Sequence, residues 1–108
     1  MLIKNGYIFI STIDNEEKAK EIAKKVVEEK LAGCVSIIPG VNSTYYWQGK
    51  LETSSEFILI FKTTRKKIKD LREYIKKIHT YEVPELATIK VNFNKPYKDW
   101  LINYVNKD

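Results

Sequence analysis

The chain has 108 residues, 44% of them hydrophobic and 31% charged, with 19 Lys plus Arg against 14 Asp plus Glu, one Cys and one His. A chain of this length hides about 60 to 68% of its unfolded surface on folding, enough for one core, so residues 1–108 read as a single domain. The lone cysteine, Cys34, excludes an intrachain disulfide framework and favours a reducing, cytoplasmic setting; with a single histidine beside it, a four-ligand zinc site drawn from Cys and His alone is excluded too.

The N-terminal MLIKNGYIFI lacks the charged start, apolar block and small-residue cleavage site of a secretory leader, and it reads as a first strand with its core in YIFISTI, residues 7–13. Asp14 and Glu17 have capping-box spacing. A helix follows in which Ala19, Ile22, Ala23, Val26, Val27 and Leu31 form one apolar stripe, and Gly33 is placed to end it. Residues 34–48 read as extended, with a bulge or edge position at Pro39-Gly40, and Gln48-Gly49 marks a tight hairpin turn into a long strand over 51–63. Thr63 or Thr64 caps a second helix carrying Ile68, Leu71, Ile75 and Ile78. Pro84 stops it, HTYEVPE (79–85) reads as a loop, and LATIKVNF (86–93) as a fourth strand. Asn94 and Pro96 open a last helix with Tyr97, Trp100, Leu101, Tyr104 and Val105 on one face. No run approaches the roughly 18 apolar residues of a membrane span, so no membrane partner is expected.

Strand, helix, strand, strand, helix, strand, helix is the split βαβ order of an α+β, ferredoxin-like fold with an added C-terminal helix. A doubly wound nucleotide fold needs a glycine-rich turn after its first strand, where this chain has STIDNEE. Two features argue for an oligomer. Phe57, Leu59 and Phe61 alternate with Ile58 and Ile60, so both sheet faces are apolar although the two crossover helices cover only one; the alternative is that the C-terminal helix folds over part of the other. The central hairpin, with arms of about 13 to 15 residues, reaches some 40 Å, beyond the roughly 26 Å breadth of a compact domain. Its far end carries Tyr45, Tyr46 and Trp47, which are costly to leave in water. The positive balance comes from lysines such as Lys24, Lys25, Lys66, Lys67, Lys69, Lys76 and Lys77, scattered as on a solvated helix face, and no nucleic-acid partner is expected.

Among residues with chemistry, His79 lies at a helix-to-loop junction beside Tyr81, Glu82 and Glu85. It reads either as a helix-end histidine or as a metal ligand or proton carrier. Cys34 reads as a small buried hydrophobe whose thiol suits a soft ion such as copper. Glu56 and Lys62 share one strand face about 20 Å apart and so meet different neighbours. Trp47 is an interface anchor or a stacking platform. Ser11 with His79 lacks an orienting third group and an oxyanion site, so no hydrolase is expected, and no enzyme of another kind is indicated.

The run LAGCVSIIPGVNSTYYWQGKLETSSEFILIFKT (31–63), followed by HTYEVPE and by Tyr97 and Trp100, resembles the CutA divalent-cation tolerance family over about residues 7–104. That resemblance implies a ferredoxin-like subunit in a tight cytoplasmic homotrimer, a response to divalent metal ions, copper binding in some members, and no established enzymatic activity. It also implies that Cys34, Trp47, Glu56, Lys62, His79, Tyr81 and Glu85 gather near a cleft between subunits. Copper-binding bacterial members have a first-strand cysteine and two successive histidines where this chain has Ser11, Ile78 and His79. A hydroxyl and an isoleucine do not replace a thiolate and an imidazole. His79 is thus the first candidate metal ligand and Cys34 the second, with Trp47, Glu56, Lys62, Tyr81 and Glu85 as candidate ligand-binding residues. Thr80 also stands where the family usually has proline.

The alternative is a sensor resembling the PII signalling proteins, which share the trimeric ferredoxin-like plan and bind ligands in intersubunit clefts. Lys62, Trp47 and Glu85 would then contact a metabolite. An RNA-reading sheet lacks its aromatic and glycine signature here, and an acylphosphatase needs an anion-cradling loop where this chain has Thr12, Ile13 and Asp14.

Overall fold

The computed structural model describes residues 4–106; the ends of the single-domain reading, 1–3 and 107–108, lie outside the described residues. Seven elements follow in the expected order: β1 (Gly6–Ile13), α1 (Glu16–Glu28), β2 (Cys34–Trp47), β3 (Lys50–Thr63), α2 (Arg65–Ile78), β4 (Ala87–Val91) and α3 (Lys95–Val105). The sheet order is β2-β3-β1-β4, with every neighbouring pair antiparallel. β3 therefore lies between β1 and β2, as a split βαβ unit requires. No helix among the described residues is long and apolar enough to cross a membrane.

Alternation on the strands sends Phe9, Ser11 and Ile13 of β1 and Leu59, Phe61 and Thr63 of β3 to the helix side, where all are buried. Ala19, Ile22 and Val26 of α1 and Leu71 and Ile75 of α2 close over them. At about 1.5 to 3 kcal/mol for each large side chain removed from water, this layer is the main source of stability. Arg72 covers the β4 side: its guanidinium lies 5.4 Å from the Phe9 ring centroid and donates to Thr88 Oγ1 and to the Leu86 carbonyl at 2.6 and 3.1 Å. Of the lysines expected on a solvated face, all are exposed except Lys67, which is half-buried.

Several local expectations are corrected. The cap of α1 is Asn15, not Asp14: Asn15 Oδ1 accepts from the Lys18 amide at 2.8 Å, which leaves Glu16 and Glu17 in the first turn where the helix dipole favours them. Gly33 does not end the helix. Lys30 does, at φ 59°, with its amide bonded to the Val27 carbonyl and that of Leu31 to the Val26 carbonyl, a Schellman closure without glycine. Gly33 is needed for another reason, because a Cβ there would stand 2.5 Å from Leu101 Cδ1, where α3 packs down. Thr64, not Thr63, occupies the α2 cap position and makes no side-chain cap bond, while buried Thr63 donates to the Leu31 carbonyl at 2.7 Å. The fourth strand is Ala87–Val91, shorter than the expected 86–93.

Ser11 marks a weak point. Its hydroxyl is fully buried among apolar side chains and has no hydrogen-bond partner. An orphaned polar group carries its full desolvation penalty, so Ser11→Ala is expected to stabilise the fold by about 1 kcal/mol. A melting temperature raised by about 4 to 8 °C at fixed protein concentration is the readout. A lower value would mean that the hydroxyl is bonded.

β1 pairs with β3 only over Phe57–Thr63, so Lys50–Glu56 pair with β2 alone. This two-stranded ribbon overhangs the body by about 20 Å, and the molecule measures 44 × 32 × 23 Å with a radius of gyration of 14.7 Å, against about 13 Å for a compact domain of this length. The ribbon turns at Gln48 (φ 50°) and Gly49 (φ 81°), the paired positive angles of a type I′ hairpin. The face opposite α1 and α2 shows half-buried Ile8, Ile10, Ile58 and Ile60 and exposed Ile38 and Ile89.

Candidate functional site

The register of β2 against β3 shifts between Ile38 and Val41, where Pro39 and Gly40 (φ 71°) together oppose the single residue Phe57. One extra residue reverses the alternation of β2 beyond it. Ser43, Tyr45 and Trp47 consequently share with Glu56 the face opposite α1 and α2, whereas an unbroken strand would have turned Asn42, Thr44 and Tyr46 that way. The bulge foreseen at Pro39-Gly40 therefore builds one wall of a cleft.

The opposite wall is the loop between α2 and β4. His79 leaves the end of α2 and fastens this loop to β1: its Nε2 donates to the Thr12 carbonyl at 2.8 Å, and its Nδ1 accepts from the Tyr81 amide at 2.9 Å. A carbonyl only accepts and an amide N–H only donates, so these partners define a neutral ring with its proton on Nε2. The Tyr81 ring tilts against it at 4.7 Å, and the Tyr81 hydroxyl donates to Glu56 Oε2 at 2.5 Å. Glu56 is only 5% exposed. A continuous chain of contacts thus runs from the β1 backbone through His79 and Tyr81 to the β3 carboxylate.

Between the walls lies a cleft of about 540 Å³. Tyr45, Trp47 and Ser43 line it from the ribbon, Thr12, Asp14 and Glu56 from the sheet end, and Tyr81, Glu82, Val83 and Glu85 from the loop. Burial, the Tyr81–Glu56 hydrogen bond and the negative charge of Glu56 together push the Tyr81 pKa above its ordinary value of 10.0. The fold thus favours the neutral phenol, so stability from this contact is present below pH 10 and falls as pH rises through the raised pKa. Tyr81→Phe is expected to cost about 1.5 to 3 kcal/mol at neutral pH, the value of a hydrogen bond to a charged group, and to flatten part of the alkaline decline. Denaturant titrations at neutral and alkaline pH check both effects.

Of the residues expected to gather, Trp47, Glu56, Tyr81 and Glu85 line the cleft, and His79 stands behind them as the anchor of the loop. Cys34 and Lys62 lie at the other end of the face: paired across β2 and β3, they have Lys62 Nζ 2.7 Å from Ser36 Oγ and 3.6 Å from Cys34 Sγ. Burial and the adjacent Cys34 raise the Tyr97 pKa there. Among the described residues no group of three or more His, Cys, Asp or Glu is placed to hold a metal ion. Ser11 is fully buried with no hydrogen-bond partner for its hydroxyl, and both ring nitrogens of His79 are bonded elsewhere, so the two form no nucleophile–base pair. Tyr45, Asp14 and Glu82 also line the cleft although they are not candidate site residues in the sequence; the bulge parity finds Tyr45 and the place of Glu82 beside Tyr81 finds Glu82, but only tertiary structure brings Asp14 to it.

A family model described as CutA1 divalent ion tolerance protein matches residues 7–104. The chain is 42% identical over 95 residues to the divalent-cation tolerance protein CutA of Thermus thermophilus, covering 87% of this chain and 92% of that one. It is 43% identical over 91 residues to the protein CutA homolog of Xenopus laevis, a longer protein of which the match takes in 60%, against 83% of this chain. Among solved structures, CutA from Synechococcus elongatus PCC7942 superimposes with a TM-score of 0.91 at 30% identity, covering 97% and 94% of the two chains. CutA from Xylella fastidiosa does so with 0.88 at 34%, covering 93% and 97%. These names describe tolerance of ions rather than a reaction. With the match running from the first strand into the last helix, the chain belongs to the CutA1 divalent ion tolerance family.

Proposed function

We propose that the protein acts in divalent-cation tolerance as a cytoplasmic homotrimer, without enzymatic activity, and that its ligands are met at surfaces completed by neighbouring subunits. The observation that carries this reading is the overhanging ribbon, with Tyr46 72% and Leu51 75% exposed, next to an isoleucine-rich sheet face opposite α1 and α2. Family membership supports the metal role, and the absence of a cysteine partner for Cys34 supports a reducing compartment.

Copper is the candidate ion, with His79 and Cys34 as its ligands. Within one subunit these residues do not assemble a copper centre: they stand at opposite ends of the sheet, and both His79 ring nitrogens are hydrogen-bonded. Binding through them therefore requires convergence across subunits, three imidazoles and three thiols per trimer, and the release of a His79 contact. Calorimetric titration with copper, zinc and cadmium tests this reading on protein of measured mass. A stoichiometry set per trimer and lost in His79→Ala is the expected result, whereas unchanged binding in that variant removes His79 from the site.

A second reading is favoured by the cleft itself, whose size is that of a small-molecule site and whose polar groups converge beside aromatic rings. It makes the protein a trimeric sensor similar to the PII proteins, with a metabolite in the cleft. Lys62 would join from a neighbouring subunit, since its own lies at the far end of the face. A thermal-shift screen of small molecules separates this reading from the metal one, because a ligand specific to the native form raises stability by mass action.

A further inference from the structure

We propose that the cleft binds an organic ammonium ion, with Tyr45 and Trp47 as its aromatic wall and Glu56, Glu82 and Glu85 as its counter-charge. The proposal rests on the reading of the cleft as a small-molecule site, with this subunit's own lining and without a neighbouring Lys62, and names the class of ligand. The first support is charge. The chain carries a formal +5, yet the residues lining the cleft include four carboxylates and no Lys, Arg or His. The local field is thus opposite in sign to that of the whole molecule and attracts cations.

Burial gives the second support. Glu56 is almost wholly removed from water, the Tyr81 hydroxyl holds Oε2, and no Lys or Arg among the described residues comes within ion-pair distance of it. A carboxylate in that position is stabilised by any cation that reaches the cleft.

The kind of cation follows from spacing and walls. Hard divalent ions need about six to eight oxygen ligands drawn tightly around them, and the carboxylates here are spread around a space of about 540 Å³ without forming a metal-binding group. An ion with a hydrocarbon body suits such a space better. Its diffuse positive charge interacts with several carboxylates at once, its methyl or methylene groups lie against the rings, and the ring faces attract the charge directly. Tyr45 and Trp47 remain substantially exposed, at 43% and 39%, so both have surface left to contact such a body.

The test is calorimetric titration of the full-length protein with choline, with its neutral isostere 3,3-dimethylbutan-1-ol, and with citrate. Choline is expected to bind at least about tenfold more tightly than the isostere, the order of one cation–π contact with its counter-charge, and citrate is expected not to bind. The double change Glu82→Gln, Glu85→Gln lies on exposed loop positions and leaves the core untouched. It is expected to weaken choline at least about tenfold at an unchanged melting temperature, and Trp47→Leu to weaken it similarly. Equal affinity for choline and the isostere, or unchanged choline binding in the double variant, overturns the proposal. Binding of citrate or of the isostere alone keeps a small-molecule site but removes the cation, and binding of none of the three removes both. Copper titration of the same sample reports separately on the metal reading.

Discussion

Replacing Phe61 by alanine is expected to remove about 3 to 5 kcal/mol of stability, a large share of the roughly 5 to 15 kcal/mol that holds a domain of this size folded. Phe61 lies in the central strand pair, with Phe9 opposite it on β1 and Val35 opposite it on β2. Its ring is fully buried and meets Phe9 edge-on, with centroids 5.7 Å apart and planes at 72°. Truncation loses the transfer energy of the ring and that aromatic contact, and it opens a cavity under both crossover helices, where regular backbone limits collapse. Urea titration at fixed protein concentration gives the value, with Phe61→Leu as a milder companion. A loss below about 1 kcal/mol for the alanine variant would contradict the packing described for this layer.

The second large effect concerns assembly. Tyr46 and Leu51 are paired across the ribbon and lie on the face away from the cleft, both largely exposed in the isolated subunit. If a neighbouring subunit covers them, each contributes about 1.5 to 3 kcal/mol to the contact. Changing both to serine is then expected to weaken association by about two to four powers of ten, at 1.4 kcal/mol per tenfold. The folded subunit itself should be little affected, because neither residue belongs to its core. Light scattering over a dilution series of wild type and variant makes the comparison. Equal association of the two proteins would show that the docking surface lies elsewhere, on the isoleucine-rich face alone.

Much of the architecture is legible in the sequence because hydrophobic periodicity is a local signal. The stripe from Ala19 to Val26 and the alternation in FILIF are each contained within a few residues, and the two faces they define meet in one core. Helix ends were less legible. Asp14 and Asn15 are both good caps, and the choice between them depends on how far β1 stays paired. The closure at Lys30 is hidden because a lysine in a left-handed conformation has no sequence marker, whereas Gly33 has one and serves a contact with Leu101 instead.

The candidate site was legible in part. Trp47, Glu56, Tyr81 and Glu85 do line one cleft, and the bulge that aligns Tyr45 and Trp47 with Glu56 is announced by Pro39-Gly40. What periodicity does not reveal is distance along the sheet. His79 and Cys34 stand in the sequence as the first and second candidate ligands of a soft metal, yet one fastens the loop after α2 and the other begins β2, and only the register against β3 shows how far apart those places are. Likewise the hydrogen bonds that occupy His79 come from Thr12 and Tyr81, and the first of these lies 67 positions away.

The central claim is that this subunit is built to be completed by copies of itself, and its most direct test is the molar mass in solution by light scattering at micromolar concentration. The account predicts about 38 kDa, three times the 12.7 kDa chain. A mass of 12.7 kDa under those conditions would contradict it.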